Sequence, residues 1–301
     1  MGISIDILAI QATHGVVYGM LLFMVASGFT LVWGMMGVLN LAHTAFYMLG
    51  AYLAYLITVQ LGNFWISLLI TPIVIGFLGM VIERFLLRDL RKRRGVHGAE
   101  MLVTFGLFYI IAEIIFWIWG TVPLTVPPPI FLSGNIPFLG KTYPVYRLFI
   151  LGCSAVILFG LALVLIRTRI GILIRAAVSD GEMVDALGTN VPILFRWVFG
   201  VGAALAGMAG VIAAPFFSAY PNMGMEAMLD CFVVVVVGGF GSLFGALVAA
   251  LMIGELQSFG VLWIPRLALV FQFLLLAVVL MTSKYGLVGP AQTVGVAGGV
   301  R

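Results

Sequence analysis

From Ile7 to Ile82 the chain carries no formal charge. A soluble fold covers its surface with charged and polar side chains, so a stretch like this one calls for lipid as its solvent. The remainder agrees: 63% of all residues are hydrophobic and 9% charged, where a soluble domain has about a quarter charged. The mean hydropathy is +1.23.

A membrane-crossing helix needs ~20 apolar residues at ~1.5 Å each. By that measure spans are expected near 14–34, 38–60, 63–83, 99–119, 148–166 and 197–216, with a last one near 262–282. Between the last two lies 228–259, too long for one upright crossing and broken by Gly238, Gly239, Gly241 and Gly245. Such a break reads as two short crossings or a span plus a re-entrant piece. The expected fold is therefore all-α, one polytopic helical bundle over 1–301 with eight or nine crossings. Gly202, Ala206, Gly210 and Ala214 recur every fourth residue, as do Gly241, Gly245 and Ala249. These are smooth faces on which helices can approach closely in lipid.

The basic residues set orientation. Arg88, Arg91, Lys92, Arg93 and Arg94 crowd one loop, and Arg167, Arg169, Arg175 and Arg196 mark another two spans later. Both loops fall on one side, which the positive-inside rule makes cytoplasmic and which leaves the N-terminus outside. The 120–147 loop then faces outward with half of the twelve prolines, Pro127, Pro128 and Pro129 among them, favouring stiff extended backbone. Met1–Thr13 has no Lys or Arg and no small-residue cleavage site, so a permanent first span is expected rather than a cleaved leader. The net charge of +4 comes from these loop cations and does not point to nucleic acid. If the C-terminal tail lies inside with Lys284 and Arg301, the count is nine.

Enzymatic signatures are missing. There is no G-x-x-x-x-G-K-S/T phosphate loop, no H-E-x-x-H and no G-x-S-x-G. His14, His43 and His97 are far apart, and Cys153 and Cys231 have no metal-ligand spacing. The expectation is a chain that moves a small solute, without catalysis and without a cofactor.

The loop 167–196 is the most structured of the connections. Ser179-x-x-Glu182 fits a capping box for a short helix through Met183, Val184, Asp185, Ala186 and Leu187 that stops at Gly188, with Pro192 beyond. Its apolar positions would be exposed unless a partner covered them, or else the segment simply connects two spans.

Asn40-Leu41-Ala42-His43, followed by Met48-Leu49-Gly50-Ala51-Tyr52, resembles the N-x-A-H…M-x-G-A-Y signature of branched-chain amino acid ABC transporter permeases, of the first permease subunit type. The likeness continues through Glu83-Arg84 and Thr104-x-Gly106. It includes Arg175-Ala176-Ala177 with Ala186-Leu187-Gly188, similar to that family's coupling loop. Gly238-Gly239-Phe240-Gly241-Ser242, Gly245-Ala246 and Gly254-Glu255 follow, and Ser283-Lys284-Tyr285-Gly286-Leu287 comes last. The resemblance implies a heterodimer with a second permease, two cytoplasmic ATPase subunits and a periplasmic substrate-binding protein, in a bacterial inner membrane. It makes Arg175, Ala176, Ala177, Asp185, Ala186 and Gly188 the candidate ATPase contact. Thr44-Ala45 stand where the family usually has Gly-Glu, and Ala249-Ala250 where glycines are common. The first change removes a carboxylate beside His43. Relatives of this type also take urea, short amides and aromatic or dicarboxylic acids, so the motifs name a family rather than a solute.

Polar groups at membrane depth are costly and tend to face a cavity or a partner. Asn40, His43, Glu113, Asp230 and Glu255 are the candidate pathway residues, with Gln272 as a further polar group. Asn40 and His43 lead, because Gly34 and Gly37 beside them favour an interrupted helix. Helix–helix hydrogen bonding is the alternative for each. A self-contained secondary transporter or channel, with Glu113, Asp230 or Glu255 as ion sites, is the rival class.

Overall fold

The computed structural model describes residues 5–37, 39–91, 98–138, 141–283 and 286–288. Lys92, Arg93, Arg94, His97, Lys284, Tyr285 and the tail from Gly289 lie outside the described residues.

The first helix, α1 (Ile5–Met36), begins well before the expected span. Asp6 in its opening turn suits the positive end of the helix dipole, and nothing up to Met36 breaks the helix. Gly37 stops it at φ +63°, a left-handed conformation that costs glycine nothing. After the break, α2 (His43–Leu61) and α3 (Phe64–Ile82) form a helical hairpin, with Asn63 capping the N–H groups of Trp65 and Ile66. A π-turn at Glu83–Leu87 and the short α4 (Arg88–Arg91) prolong α3. Then come α5 (Ala99–Trp119) and α6 (Val145–Arg167), within a few residues of the expected spans. The proline-rich connection between them holds a small antiparallel hairpin, β1 (Asn135–Phe138) and β2 (Lys141–Pro144), paired Ile136 to Tyr143.

Two short helices, α7 (Arg169–Ser179) and α8 (Gly181–Ala186), follow. The long α9 (Val191–Phe217) starts earlier than expected because Asn190 caps it and Pro192 sits in its first turn, where a missing N–H does no harm. The glycine-broken stretch resolves into α10 (Met223–Gly238) and α11 (Leu243–Trp263), and α12 (Ala268–Thr282) closes the chain. The molecule is an all-α polytopic bundle. Among the described residues seven helices are long and apolar enough to cross a membrane. The 16 residues of α10 and 15 of α12 reach about 24 and 22 Å, short of a hydrocarbon core of about 30 Å.

Helix α9 is the hub, packed on α1, α2 and α3. Its small residues do what their spacing foretold. A Cβ on Gly210 would lie 2.9 Å from the Ala51 nitrogen, and one on Gly207 would press into Ile75. The α11 face serves α1 and α10 in the same way. Gly19 sits against Ala250, and Gly245 against Gly238.

Contacts at the helix ends define two sides. Glu83 lies 3.7 Å from Arg196, which brings the connection after α3 and the start of α9 to one end of the bundle. Gly241 meets Gly34 there, and the Leu287 N–H bonds the Val237 carbonyl. At the opposite end Ser258 bonds the Gln11 carbonyl at 2.7 Å, and Leu124 bridges Ala219. Between these ends α1, α2, α3, α5, α6, α9, α10, α11 and α12 alternate in direction, so the chain returns to the basic end.

Candidate functional site

Helix α10 begins deep in the bundle, where Gly224 packs on the Thr44 carbonyl, Met48 and the ring of Phe108 halfway along α5. Its first turns border a cavity of ≈170 Å³, closed on the other sides by Tyr18, Leu21, Leu22 and Val25 of α1, Tyr47 of α2, Phe217 of α9 and Gln257 of α11. Tyr220, Glu226 and Asp230 give it a polar wall. The Tyr18 hydroxyl donates to Asp230 at 2.9 Å, and the Tyr220 hydroxyl donates to Glu226. A second cavity of ≈280 Å³ shares Tyr18, Phe217 and Gln257 with the first and extends past His14 and Arg147 towards the end of the bundle that carries the β hairpin. The Arg147 guanidinium sits over the rings of Tyr143 and Phe216, 5.5 and 5.3 Å from their centres.

Of the five expected pathway residues, Asp230 alone lines this space. Asn40 and His43 are buried elsewhere. The His43 Nε2 lies 3.0 Å from the Val25 carbonyl, its ring meets Phe29 edge-on, and Gly28 leaves room for it. The break before α2 is pinned by Thr104, whose hydroxyl oxygen accepts the Leu41 N–H at 3.2 Å. Among the described residues Asn40 Oδ1 and His43 Nδ1 have no hydrogen-bond partner. Glu255 lies in the seam between α1 and α11, in the space left by Gly15, with its Oε2 buried and unbonded. Glu113 is exposed on α5 and faces out of the chain. The five residues are thus four separate places.

The loop between α6 and α9 is a folded unit. Helix α7 runs through Arg175, Ala176 and Ala177, and the Arg175 guanidinium donates to the Leu165 carbonyl at the end of α6. The expected Ser179 cap is displaced by one residue. α7 continues through Ser179, and Asp180 caps α8 by accepting the Met183 N–H at 2.9 Å. Ala177, Val184 and Val191 form its small core, and Ile174 anchors it to Leu31, Met35 and Val198. Asp185 accepts the Val191 N–H at 3.4 Å, and Gly188 ends the unit at φ +91°. Ile170, Ile172, Val178, Met183 and Leu187 remain exposed, Leu187 at 77%.

The family described as the permease component of the branched-chain amino acid transport system matches residues 11–280. The chain belongs to that family. It is similar to the high-affinity branched-chain amino acid transport system permease protein BraD of Pseudomonas aeruginosa, 28% identical over 93% of this chain and 95% of the relative. The LivH permease protein of Escherichia coli K12 is 25% identical over 93% and 94%. A probable LivH of Methanocaldococcus jannaschii is 26% identical over 81% and 78%. No solved structure matches the chain.

For this permease, the family motifs that carried the resemblance sit at close helix contacts. Gly50 packs on Gly207, Glu83 reaches Arg196, and Gly238 lies against Gly245. The cavity meets the leading signature only at its edge, through Tyr47 between its two halves and through Val25, whose carbonyl faces His43. Tyr18, Tyr47, Tyr220, Glu226 and Gln257 escaped the sequence reading, although Glu226 and Asp230 are four apart and so share a helix face. Taking the span to start near 228 hid that pairing, because Glu226 fell into the preceding loop.

Proposed function

We propose that this chain is the first-type permease subunit of an ATP-driven importer for branched-chain or other hydrophobic amino acids. It works as one membrane domain beside a second permease in the bacterial inner membrane, N-terminus outside. Two cytoplasmic ATPase subunits drive it and a periplasmic binding protein feeds it. The observation that carries the reading is the α7–α8 unit, held firmly to the basic end of the bundle while Ile172, Met183 and Leu187 stay uncovered. Rigid backing and a bare apolar face are what a docking element needs. The family match supports the cargo class, and the sequence has no phosphate-cradling loop of its own. ATP-driven closure of the ATPases pushes this unit, and the spans switch between outward and inward access.

The test is uptake of labelled leucine in cells depleted of ATP with the proton gradient kept. Uptake is expected to stop. Uptake that persists would replace this reading with a self-contained secondary transporter.

A further inference from the structure

We propose that the cavity between α1, α2 and α10 is an ammonium site, taking the charged amino end of a small aliphatic solute between Asp230, Glu226 and Tyr47. Its wall holds two carboxylates and no lysine or arginine. Asp230 is partly buried and Glu226 exposed, and a carboxylate held at membrane depth needs a counter-charge or a proton. Each receives one tyrosine hydroxyl, from Tyr18 or Tyr220. A carboxylate has about four acceptor positions, so most of their capacity is unused. Gln272, 4% exposed, is a further polar neighbour of Asp230.

A second observation is independent of the acids. Tyr47 is 4% exposed, lines the cavity, and makes no hydrogen bond with the described residues. Its hydroxyl opens on the cavity and can accept a hydrogen from an incoming donor. The apolar share of the wall, from Leu21, Leu22 and Val25, suits a hydrocarbon tail. An ammonium group brings three donors, one for each of these three acceptors. The adjoining cavity carries Arg147 and His14, so a zwitterion arriving amino end first would leave its carboxylate towards the cation.

The site deepens the amino acid reading above and rests on it only for the identity of the cargo. The test uses the assembled transporter in detergent, with thermal melting as readout. The probes are 3-methylbutylammonium, which has leucine's tail and amine, 4-methylpentanoate, which has its tail and carboxylate, and sodium chloride at matched ionic strength. In the wild type, saturating 3-methylbutylammonium is expected to raise the melting temperature by about 2 °C or more. The other two probes should leave it unchanged. Asp230→Asn should abolish the shift. Tyr47→Phe, which removes one oxygen from the wall, should at least halve it and keeps the test alive if the first variant does not assemble. No shift in the wild type, an equal shift in both variants, or the same shift with sodium chloride overturns the proposal. Leucine uptake without the ammonium shift overturns this site alone. The shift without leucine uptake overturns the cargo instead.

Discussion

Glu83, fully buried at the end of α3, holds its carboxylate 3.7 Å from the Arg196 guanidinium at the start of α9. The arginine side chain is 21% exposed and the acid 0%. The pair is therefore asymmetric: a lone arginine can reach water there, whereas a lone carboxylate cannot. Breaking a buried pair costs about 3–5 kcal/mol when the remaining charge is left without compensation. Glu83 keeps other contacts when Arg196 is removed, so Arg196→Gln should cost part of that, and Glu83→Gln, which leaves an arginine able to reach water, less still. Melting temperatures of the two purified variants decide this, and equal losses would show that the pair is not asymmetric.

Gly50 and Gly207 bring α2 and α9 together backbone to backbone. A Cβ on Gly50 would lie 2.8 Å from the Gly207 Cα, with no side chain available to yield. Overpacking of this kind costs about 1–3 kcal/mol, and more where backbone must shift. Gly50→Val should leave little folded protein in the membrane. Gly160→Ala on α6, with nothing within 4 Å of the added carbon, should match the wild type or gain up to about 1 kcal/mol. Comparable membrane levels of the two variants would contradict the helix contact.

Gly188 closes the α7–α8 unit at φ +91°, with open space around it. A side chain there strains the backbone by about 1 kcal/mol and stands in front of the exposed face. Gly188→Arg should insert normally and keep its partner permease. It should lose the ATPase subunits on gentle detergent extraction, with uptake falling at least tenfold. Normal co-purification and normal uptake would remove α8 from the coupling path.

Sidedness follows from the two ends. In a background without Cys153 and Cys231, a cysteine at Ser133 beside the β hairpin should react with an impermeant maleimide on intact cells. One at Ser179, between α7 and α8, should react only after permeabilisation. The reverse pattern would turn the bundle over and put the basic end outside.

Much of this architecture could be read directly from the residues. Long apolar runs located α5 to the residue and α6 to within three, and four-residue spacing of glycine and alanine marked the crowded faces of α9 and α11. The loops gave less away. Asp180 and Ser179 are equally good caps by type, and only the length of α7 decides between them. The site was least legible. Asn40 and His43 stand in the most distinctive motif, yet His43 fastens α2 to Val25 and lines neither of the two cavities described above. Tyr18, Tyr47 and Asp230 are scattered over more than two hundred positions. Nothing in their local sequence says that three helices bring them to one wall.

Helices α1 and α11 lie side by side along nearly their whole length, from Gln11 against Ser258 to Gly34 against Gly241. The Gln11 and Ser258 pair is 247 residues apart. At a synthesis rate of about 5–20 residues per second, the first helix waits roughly 12–50 s for its neighbour. During that interval α6 and α9 can already pack on α1, but Gly15, Gly19 and Gln11 lack the helix they face. The last contacts of α1 are thus made only when the chain is nearly finished. A ribosome stalled before codon 243 should yield a product that quality-control proteases clear, however well its first six spans have inserted.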